Sequence, residues 1–318
     1  MSIRYKPAGD HIVLITIDRP EAHNSLDLDH FKWLREAWER FEAEADAWVA
    51  VVTGVGPAFC SGADLKRYVP EITKLGKQLA EQGLTEIGGY RLDDGTRAVL
   101  RDWTLAKPIV AAVNGSCTAG GMEMLGGTDV RVACPEARFA VMEPKRGLFA
   151  GGGTTVRLPR QIPWAAAMEL LLCADLVDAS RARELGLLNA VVPREELLDA
   201  AMGYARRIVA NAPLAIQATK RSALEGLYAD DAAIKAVRAA VKALAQALEL
   251  VTPDDPVAAR SAVAEVREQL AGLAGQLRPP FANESALGRQ VFATEDAKEG
   301  PRAFAERREP KWTARLWH

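Results

Sequence analysis

The apolar residues of this chain recur at intervals that predict strands and helices in alternation. Four short runs rich in β-branched and apolar residues are typical of buried strands: residues 11–18, 48–53, 108–113 and 129–134. After the first run, Phe31, Leu34 and Trp38 repeat at helical spacing and predict a helix with one apolar face. Three further helices are predicted at residues 164–174, 194–211 and 213–227. We therefore expect an α/β core followed by a largely helical C-terminal region.

Two heptad patterns near the C-terminus predict a pair of antiparallel helices. Apolar residues repeat at alternating spacings of three and four over residues 234–251 and again over residues 263–277. Asp255 and Pro256, between the two sets, suit the start of the second helix. The pattern predicts a helical hairpin at about residues 230–279. Such a hairpin either packs on itself or offers its seam to a helix of a partner, and both interpretations stay open.

Composition and charge exclude several classes of protein. The chain has 318 residues, of which 49% are hydrophobic, and can bury a large core. A net charge of -2 gives no global attraction to nucleic acid or to an anionic membrane, and no apolar run is long enough for a membrane span. The four cysteines form no C-x-x-C pair, and residues 1–10 resemble no signal peptide, so we expect a cytoplasmic protein with reduced thiols.

Two glycine-rich segments and two glutamates are the candidates for chemistry. Residues 52–66 run from a predicted strand into a loop that matches neither the P-loop nor the dinucleotide fingerprint. Residues 114–123 form a second glycine-rich turn that enters an apolar helix, where free amides favour negative charge. Glu123 in that helix and Glu143 stand among apolar residues. Taken alone, the helix dipole would stabilise Glu123 and a neighbouring cation would pair with Glu143. The four histidines form no metal-spaced cluster, and no Ser-His-Asp arrangement appears.

Four separated motifs resemble the enoyl-CoA hydratase/isomerase, or crotonase, family. They are ITIDRP at residues 15–20, AFCSGADLK at 58–66, AVNG with AGGME at 112–115 and 119–123, and TEDAKEG with AF at 294–300 and 303–304. The resemblance covers about residues 11–228 and 281–315. It implies an α/β fold with a spiral core of repeated ββα units, an α-helical C-terminal region and an inserted antiparallel helical hairpin. On this basis residues 1–212 form the core with the active site, and residues 213–318 form a helical trimerisation region that contains the insertion at about 230–279.

The resemblance also implies an activity and the residues that perform it. The family holds a thioester carbonyl oxygen with two backbone amides, which correspond to Ala63 and Gly120, and its two hydratase glutamates correspond to Glu123 and Glu143. Because hydration needs two proton movements, the presence of both carboxylates implies a hydro-lyase that adds water syn across the α,β double bond of an enoyl-CoA. Glu123 would deprotonate the water and Glu143 would deliver a proton. The two carboxyls should titrate as a coupled pair, with one protonated at neutral pH.

Coenzyme A is implied as part of the substrate, so neither a separate cofactor nor a metal is expected. The resemblance assigns these residues to its binding: Ala22, Ser61, Ala63, Leu65, Lys66, Phe304 and Arg307. Phe304 and Arg307 would act from a neighbouring subunit, which implies a homotrimer or a dimer of trimers.

Departures from the family pattern bear on the substrate. Met142 precedes the second glutamate where proline is usual, and Ala119 replaces a glycine. Lys145 and Arg146 would lower the pKa of that glutamate if they face it. Residues 67–103, predicted as a loop, would shape the acyl pocket. Two alternative functions stay open: a Δ3-Δ2 enoyl-CoA isomerase that uses the second glutamate alone, and a non-catalytic scaffold that binds a partner through the hairpin.

Overall fold

The structure, a computed structural model, describes residues 2–101, 103, 105–228, 289, 293 and 295–308. The chain divides into two units, residues 1–221 with 284–318 and residues 222–283. Of the second unit, residues 222–228 are described, and they end a helix. The predicted hairpin at 230–279 lies outside the described residues, so the hairpin, its partner and the predicted domain boundaries stay predictions.

The described strands form three sheets. In chain order they are β1 (Ile3–Pro7), β2 (Ile12–Ile17), β3 (Val49–Gly54), β4 (Ala58–Cys60), β5 (Glu86–Ile87), β6 (Tyr90–Arg91), β7 (Ile109–Val113), β8 (Ser116–Thr118), β9 (Val130–Ala133), β10 (Arg138–Ala140), β11 (Val177–Asp178) and β12 (Ala190–Val191). A six-stranded sheet has the order β1-β2-β3-β7-β9-β12, a four-stranded sheet has the order β11-β10-β8-β4, and β5 pairs with β6. Within the two larger sheets, the pairs β1-β2 and β10-β11 are antiparallel and the remaining pairs are parallel.

The described helices connect these strands, and three of them follow the last strand in the sequence. They are α1 (Leu28–Ala43), α2 (Tyr68–Gln82), α3 (Asp94–Ala98), α4 (Gly120–Gly126), α5 (Thr154–Gln161), α6 (Trp164–Met168), α7 (Ala179–Glu184), α8 (Leu197–Val209), α9 (Pro213–Tyr228) and α10 (Glu295–Glu306). A π-helical turn, Glu169–Cys173, continues α6. Short 3-10 turns occur at Pro20–Ala22, Pro144–Arg146 and Arg194–Glu196.

Three successive segments repeat one topology, which confirms the predicted ββα core. Each places a strand in the six-stranded sheet, then a strand in the four-stranded sheet, then a helix: β3-β4-α2, β7-β8-α4 and β9-β10-α5. Neighbouring units pair in parallel, with Val51 opposite Val110 and Val110 opposite Val130. The repetition winds the chain into a spiral and stacks equivalent strands beside one another.

β3 and β7 lie at the centre of the core. α8 packs on β3, β7 and β9, while β4 contacts β3 and β7. Every residue of β7 is buried, as are Val51 and Val52 of β3. Parallel strands enclosed in this way have uninterrupted apolar sequences, which explains why the runs at 48–53 and 108–113 predicted them correctly.

Residues 67–103 are partly helical, and the prediction of a loop there was wrong. α2 spans 15 residues and buries Leu75 and Leu79, which are one helical turn apart. Pro70 lies in the first turn of α2, where a missing N–H breaks no helical hydrogen bond. Gly76 costs helical stability but does not end the helix. Proline and glycine usually indicate a loop, so their presence in this segment led to the wrong prediction.

Candidate active site

Three adjacent parallel strands end at one edge of the four-stranded sheet, and the predicted site residues follow these ends. β8 pairs with β4 on one side and with β10 on the other, with Cys117 opposite Cys60 and Thr118 opposite Ala140. The residues that follow β4, β8 and β10 are, in that order, Ala63, then Gly120 with Glu123, then Glu143. Because parallel strands share the edge where their carboxyl ends lie, the sheet brings these residues to one region.

The loops that carry Ala63 and Gly120 are in direct contact. A Cβ atom on Gly120 would lie 3.2 Å from the Cα of Gly62 and 3.8 Å from the amide nitrogen of Ala63. A Cβ atom on Gly62 would lie 2.8 Å from the amide nitrogen of Gly120. Within the described ranges, neither the Ala63 amide nor the Gly120 amide donates to a protein acceptor. The structure therefore places two available backbone donors next to each other.

Unusual backbone conformations hold the two amides in place. Gly62 has φ 91°, and its carbonyl accepts a 2.8 Å hydrogen bond from the amide of Leu26. Ala119 has φ 50° and ψ -122°, which strains an alanine, and its amide donates to Ala140 at 3.0 Å. The methyl group of Ala119 would be 2.8 Å from a Cβ atom on Gly62. Ala119, where the family has glycine, thus packs tightly against the neighbouring loop.

Glu123 is buried in α4 and is held by the segment that leads into α5. The residue is 9% exposed. The amide of Gly152 donates to its Oε1, and a methyl group on Gly152 would overlap the carboxylate. The guanidinium of Arg157 donates to the backbone carbonyl of Glu123 at 3.3 Å. The side chain and the main chain of Glu123 are therefore both fixed by the same segment.

Glu143 is equally buried but lies in a less polar environment. It is 9% exposed, and in the part of the chain that the structure describes its Oε2 has no hydrogen-bond partner. Burial raises the pKa of this carboxyl to about 7, because an apolar environment disfavours the charged form. Glu143 therefore exchanges its proton close to neutral pH.

The two cationic side chains that follow Glu143 in the sequence contact groups other than its carboxyl. Lys145 forms a 2.5 Å ion pair with Asp175, and the guanidinium of Arg146 lies 4.6 Å from the ring centroid of Phe304. The sequence predicted a lowered pKa only if these cations face Glu143; that condition is not met, and burial raises the pKa of this carboxyl. In the structure these two side chains therefore contact Asp175 and Phe304.

Most of the predicted coenzyme A residues lie around the Ala63 loop. Three belong to the connection between β4 and α2: Ser61, Leu65 and Lys66. Lys66 is exposed, while its neighbour Asp64 accepts a 3.0 Å hydrogen bond from Arg19. Ala22 ends a 3-10 turn shortly before Leu26, which pairs with Ala63 in an isolated bridge. The structure therefore groups Ala22 with the Ser61–Lys66 loop.

Phe304 and Arg307 lie in a second region, where α10 meets the turn after Glu143. A cavity of about 270 Å³ there is lined by Lys145, Arg146, Gly300, Ala303, Phe304, Arg307 and Arg308. Phe304 is 47% exposed, and a Cβ atom on Gly300 would overlap the carbonyl of Arg146. The cavity thus combines an accessible aromatic ring with four cationic side chains.

Two residues that hold Glu123 were not predicted from the sequence. Gly152 belongs to the run Gly151–Gly153, which indicated a turn but not its carboxylate contact. Arg157 stands in α5, where an arginine among apolar residues suggests a buried contact only once the helix is placed. In both cases the partner is distant in sequence, and the local pattern does not identify it.

Other kinds of site find no support among the described residues. Within those ranges, no group of His, Cys, Asp and Glu side chains could hold a metal ion. All four cysteines are free thiols, and three of them are buried. A search of the described helices finds none that has the length and apolarity needed to cross a bilayer.

Comparison with known proteins agrees with the fold and the motifs. Residues 8–250 match the model of the enoyl-CoA hydratase/isomerase family. Enoyl-CoA hydratase EchA19 of Mycobacterium tuberculosis is 34% identical over 305 residues, which are 96% of this chain and 94% of the relative. (E)-benzylidenesuccinyl-CoA hydratase of Thauera aromatica is 38% identical over 220 residues, 69% of this chain and 80% of the relative. The crystal structure of carnitinyl-CoA hydratase from Mycobacterium avium superposes with a TM-score of 0.71 at 32% identity, covering 99% of each chain.

The spiral of ββα units and these structural similarities define a protein of the crotonase fold class. Within that class, the chain belongs to the enoyl-CoA hydratase/isomerase family. At the level of the family it is an enzyme of the enoyl-CoA hydratase type, as the motifs predicted.

Proposed function

We propose that the protein adds water across the α,β double bond of an enoyl-CoA thioester, with Glu123 and Glu143 as the acid/base pair. The observation that carries this proposal is the contact between the Ala63 and Gly120 loops, followed in sequence by two buried glutamates at neighbouring strand ends. Two amides and two carboxyls are the groups that such a hydration requires.

In this proposal the thioester carbonyl oxygen accepts hydrogen bonds from the amides of Ala63 and Gly120. Negative charge develops on that oxygen when water attacks Cβ, and fixed donors stabilise it without reorganising. Removal of one such donor typically costs about 10²–10³ in rate. The glycines at 62 and 120 allow the backbone to approach the ligand closely.

The surroundings of the two glutamates support different roles. Glu123 accepts a hydrogen bond from the Gly152 amide, which favours its ionised form and suits a base. Glu143 is buried without a partner for Oε2 in the described part of the chain, and a pKa of about 7 suits an acid. A pair of carboxyls in contrasting environments is a common basis for dividing acid and base functions.

The proposed step balances in atoms and charge. A water oxygen forms a bond to Cβ while Glu123 takes one proton of that water, and Cα receives the proton of Glu143. The π electrons of the double bond pass through the enolate to the new Cα–H bond. In this proposal both carboxyls act on the same face of the double bond, so the addition is syn. Glu123 ends neutral and Glu143 ionised, so a proton exchange with solvent restores the starting state.

Coenzyme A binding is proposed in two regions. The Ala22 and Ser61–Lys66 segments would hold the pantetheine end beside Ala63, with Lys66 near the phosphates. The cationic cavity with Phe304 and Arg307 would bind the nucleotide end, since arginine and aromatic groups suit phosphate and adenine. As the family resemblance implies, that cavity would serve the substrate of a neighbouring subunit in a trimer or a dimer of trimers.

The proposal is tested with a panel of enoyl-CoA thioesters, read by mass spectrometry for the gain of one water. The panel should include acyl groups that carry a charge, because relatives are named for benzylidenesuccinyl-CoA and carnitinyl-CoA. We expect Glu123→Gln and Glu143→Gln each to lower kcat by about 10²–10⁴. Glu169→Gln, at an exposed glutamate paired with Arg181, is the control and should change little.

The same variants separate hydration from the alternative isomerisation. An isomerase that uses Glu143 alone would convert a 3-enoyl-CoA to the 2-enoyl-CoA at full rate after Glu123→Gln. If Glu123→Gln retains isomerisation and the wild type hydrates no thioester of the panel, the isomerase function replaces the one proposed. A chain that converts neither substrate type would support the scaffold function instead.

A further inference from the structure

Arg157 is a buried cation with no part in the proton transfers of the proposed reaction. It is 6% exposed and stands in the first turn of α5, where its amide donates to Gly153 at 2.9 Å. Its guanidinium donates to the carbonyls of Val99 and Glu123, each at 3.3 Å, and to the carbonyl of Leu100. Burying a guanidinium is costly unless its donors are satisfied, so these contacts explain how the core tolerates it.

The three carbonyls belong to two different segments. Glu123 is in α4, whereas Val99 and Leu100 follow α3 in the region predicted to shape the acyl pocket. Leu100 has φ 61°, an unusual conformation for a leucine, which this hydrogen bond helps to hold. A planar guanidinium has five N–H donors in a fixed arrangement, so it can donate to several carbonyls in different directions. A lysine ammonium does this less well.

We infer that Arg157 is a positioning residue for Glu123: it holds the main chain of the base, and the Gly152 amide holds its carboxylate. The inference rests on the proposed function. The guanidinium of Arg157 is also a buried positive charge that lies 3.3 Å from the main-chain carbonyl oxygen of Glu123. A buried cation that contacts this residue favours the ionised carboxylate that the base needs.

Other titratable groups lie near Glu123 among the described residues. Glu123 acts electrostatically on Cys60 of β4 and on Tyr68 of α2, and Cys60 acts in turn on Cys117 of β8. Burial raises the pKa of Cys60 and of Tyr68 to about 12 and also raises that of Cys117, so these three stay neutral in an assay between pH 5 and 9. In the proposed mechanism the acid limb of kcat reports ionisation of the base and the basic limb reports loss of the proton of the acid, with the two carboxyls titrating as a coupled pair.

Arg131 provides a matched control. It is also 6% exposed, and it binds carbonyls at the far end of α4, donating to Gly126 at 3.4 Å and to Thr128 at 3.1 Å. Arg131→Met should therefore destabilise the fold much as Arg157→Met does, without a specific effect on Glu123. Comparison of the two variants separates a loss of packing from a loss of positioning.

The experiment is a double-mutant cycle on the full chain, with rates corrected for the folded fraction. We expect Arg157→Met to lower kcat by about 10–100-fold with KM changed less than about threefold, since a small misplacement of a catalytic group has this effect. Combined with Glu123→Gln, it should cause no further loss, because both changes remove the same function. Arg157→Met should move the acid limb of kcat to higher pH, whereas Arg157→Lys, which keeps the charge, should leave it near the wild-type value.

The inference is overturned if the Arg157→Met and Glu123→Gln losses multiply, or if Arg131→Met reproduces both the rate loss and the shifted acid limb. Should Arg157→Met not fold, Arg157→Lys enters the same cycle and must show the same non-additivity in kcat. If the wild type hydrates no thioester, the proposed function fails, and Arg157 is tested by carbon-13 NMR titration of the Glu123 carboxyl. An unchanged Glu123 titration in Arg157→Met would then contradict the inference.

Discussion

Single residues control whether the two proposed oxyanion amides can be reached by a ligand. We expect Gly62→Ala to lower kcat/KM by about 10²–10³, because the new methyl group would lie 2.8 Å from the Gly120 nitrogen. Steady-state hydration of the best thioester of the panel measures this loss. Gly9→Ala is the control: Gly9 has φ 83°, near the φ 91° of Gly62, but no atom within 4 Å of its Cβ position. Equal losses of activity in both variants would show that backbone strain, and not occlusion of the amides, is responsible.

A second prediction for a single residue concerns the stability cost of Glu143. In the unfolded chain this carboxyl loses its proton near its ordinary pKa of 4.5, but the folded protein retains the proton up to a pKa of about 7. Folding therefore becomes less favourable as pH rises through this interval, by roughly 3 kcal/mol in total. Glu143→Gln removes the cost, so it should be more stable than the wild type at pH 8 while being inactive.

Urea unfolding of both proteins at pH 4.5 and pH 8 tests this expectation. The advantage of Glu143→Gln over the wild type should be larger at pH 8 than at pH 4.5. An advantage that stays constant between the two pH values would mean that Glu143 titrates normally and is not the buried acid that the mechanism needs.

The functional groups of the candidate site were easier to predict from the sequence than the surroundings of those groups. Glu123 and Glu143 were indicated because carboxylates among apolar residues are unusual, and the motifs around them are specific. The sequence did not determine whether Lys145 and Arg146 face Glu143, because the direction of a side chain depends on partners far along the chain, here Asp175 and Phe304.

At the scale of secondary-structure elements, length decided what the sequence could predict. β2, β3, β7 and β9 are mainly apolar and β-branched and were predicted, whereas β4, β8 and β10 have three residues each and show no period. Those three short strands exist because they pair with one another, and they are the strands that present the candidate site. Local patterns thus predicted the scaffold better than the sheet that carries the chemistry.

The connection between β3 and β4 depends on a buried asparagine. Asn114 Oδ1 accepts from the Gly54 amide at 3.0 Å, and its Nδ2 donates to Gly56 at 2.9 Å and to Ala58 at 3.0 Å. Asn114→Ala should destabilise the protein by about 2 kcal/mol, since buried backbone groups lose their partners. Thermal unfolding measures the effect. Asn211→Ala, at an exposed asparagine bonded to Arg207 at 2.9 Å, should change stability by less than about 0.5 kcal/mol. If both variants lose the same stability, the buried contacts of Asn114 contribute no more to folding than those of an exposed asparagine.

At the scale of the whole molecule, the cationic cavity beside α10 extends the proposed site beyond the spiral core. Arg307→Gln should raise KM for an enoyl-CoA by about tenfold, because it removes one charge-assisted hydrogen bond to a phosphate. It should leave KM unchanged for the same acyl group on pantetheine, which lacks the nucleotide. Arg207→Gln, at an exposed arginine of α8 that does not line the cavity, is the control. A KM that rises equally for both thioesters would contradict nucleotide binding by Arg307.

Mixed assemblies determine which subunit the cavity serves. Arg307→Gln chains keep an intact acid/base pair but have a weakened cavity, whereas Glu123→Gln chains keep the cavity and lack the base. If α10 acts on the substrate of a neighbouring subunit, co-expression of the two variants should restore turnover with a KM near the wild-type value. Each restored site would use Glu123 from one chain and Arg307 from the next. If the cavity serves its own subunit, no site contains both groups, and the mixture should show only the high KM of Arg307→Gln. That result would contradict the proposed arrangement in a trimer even if the hydratase function holds.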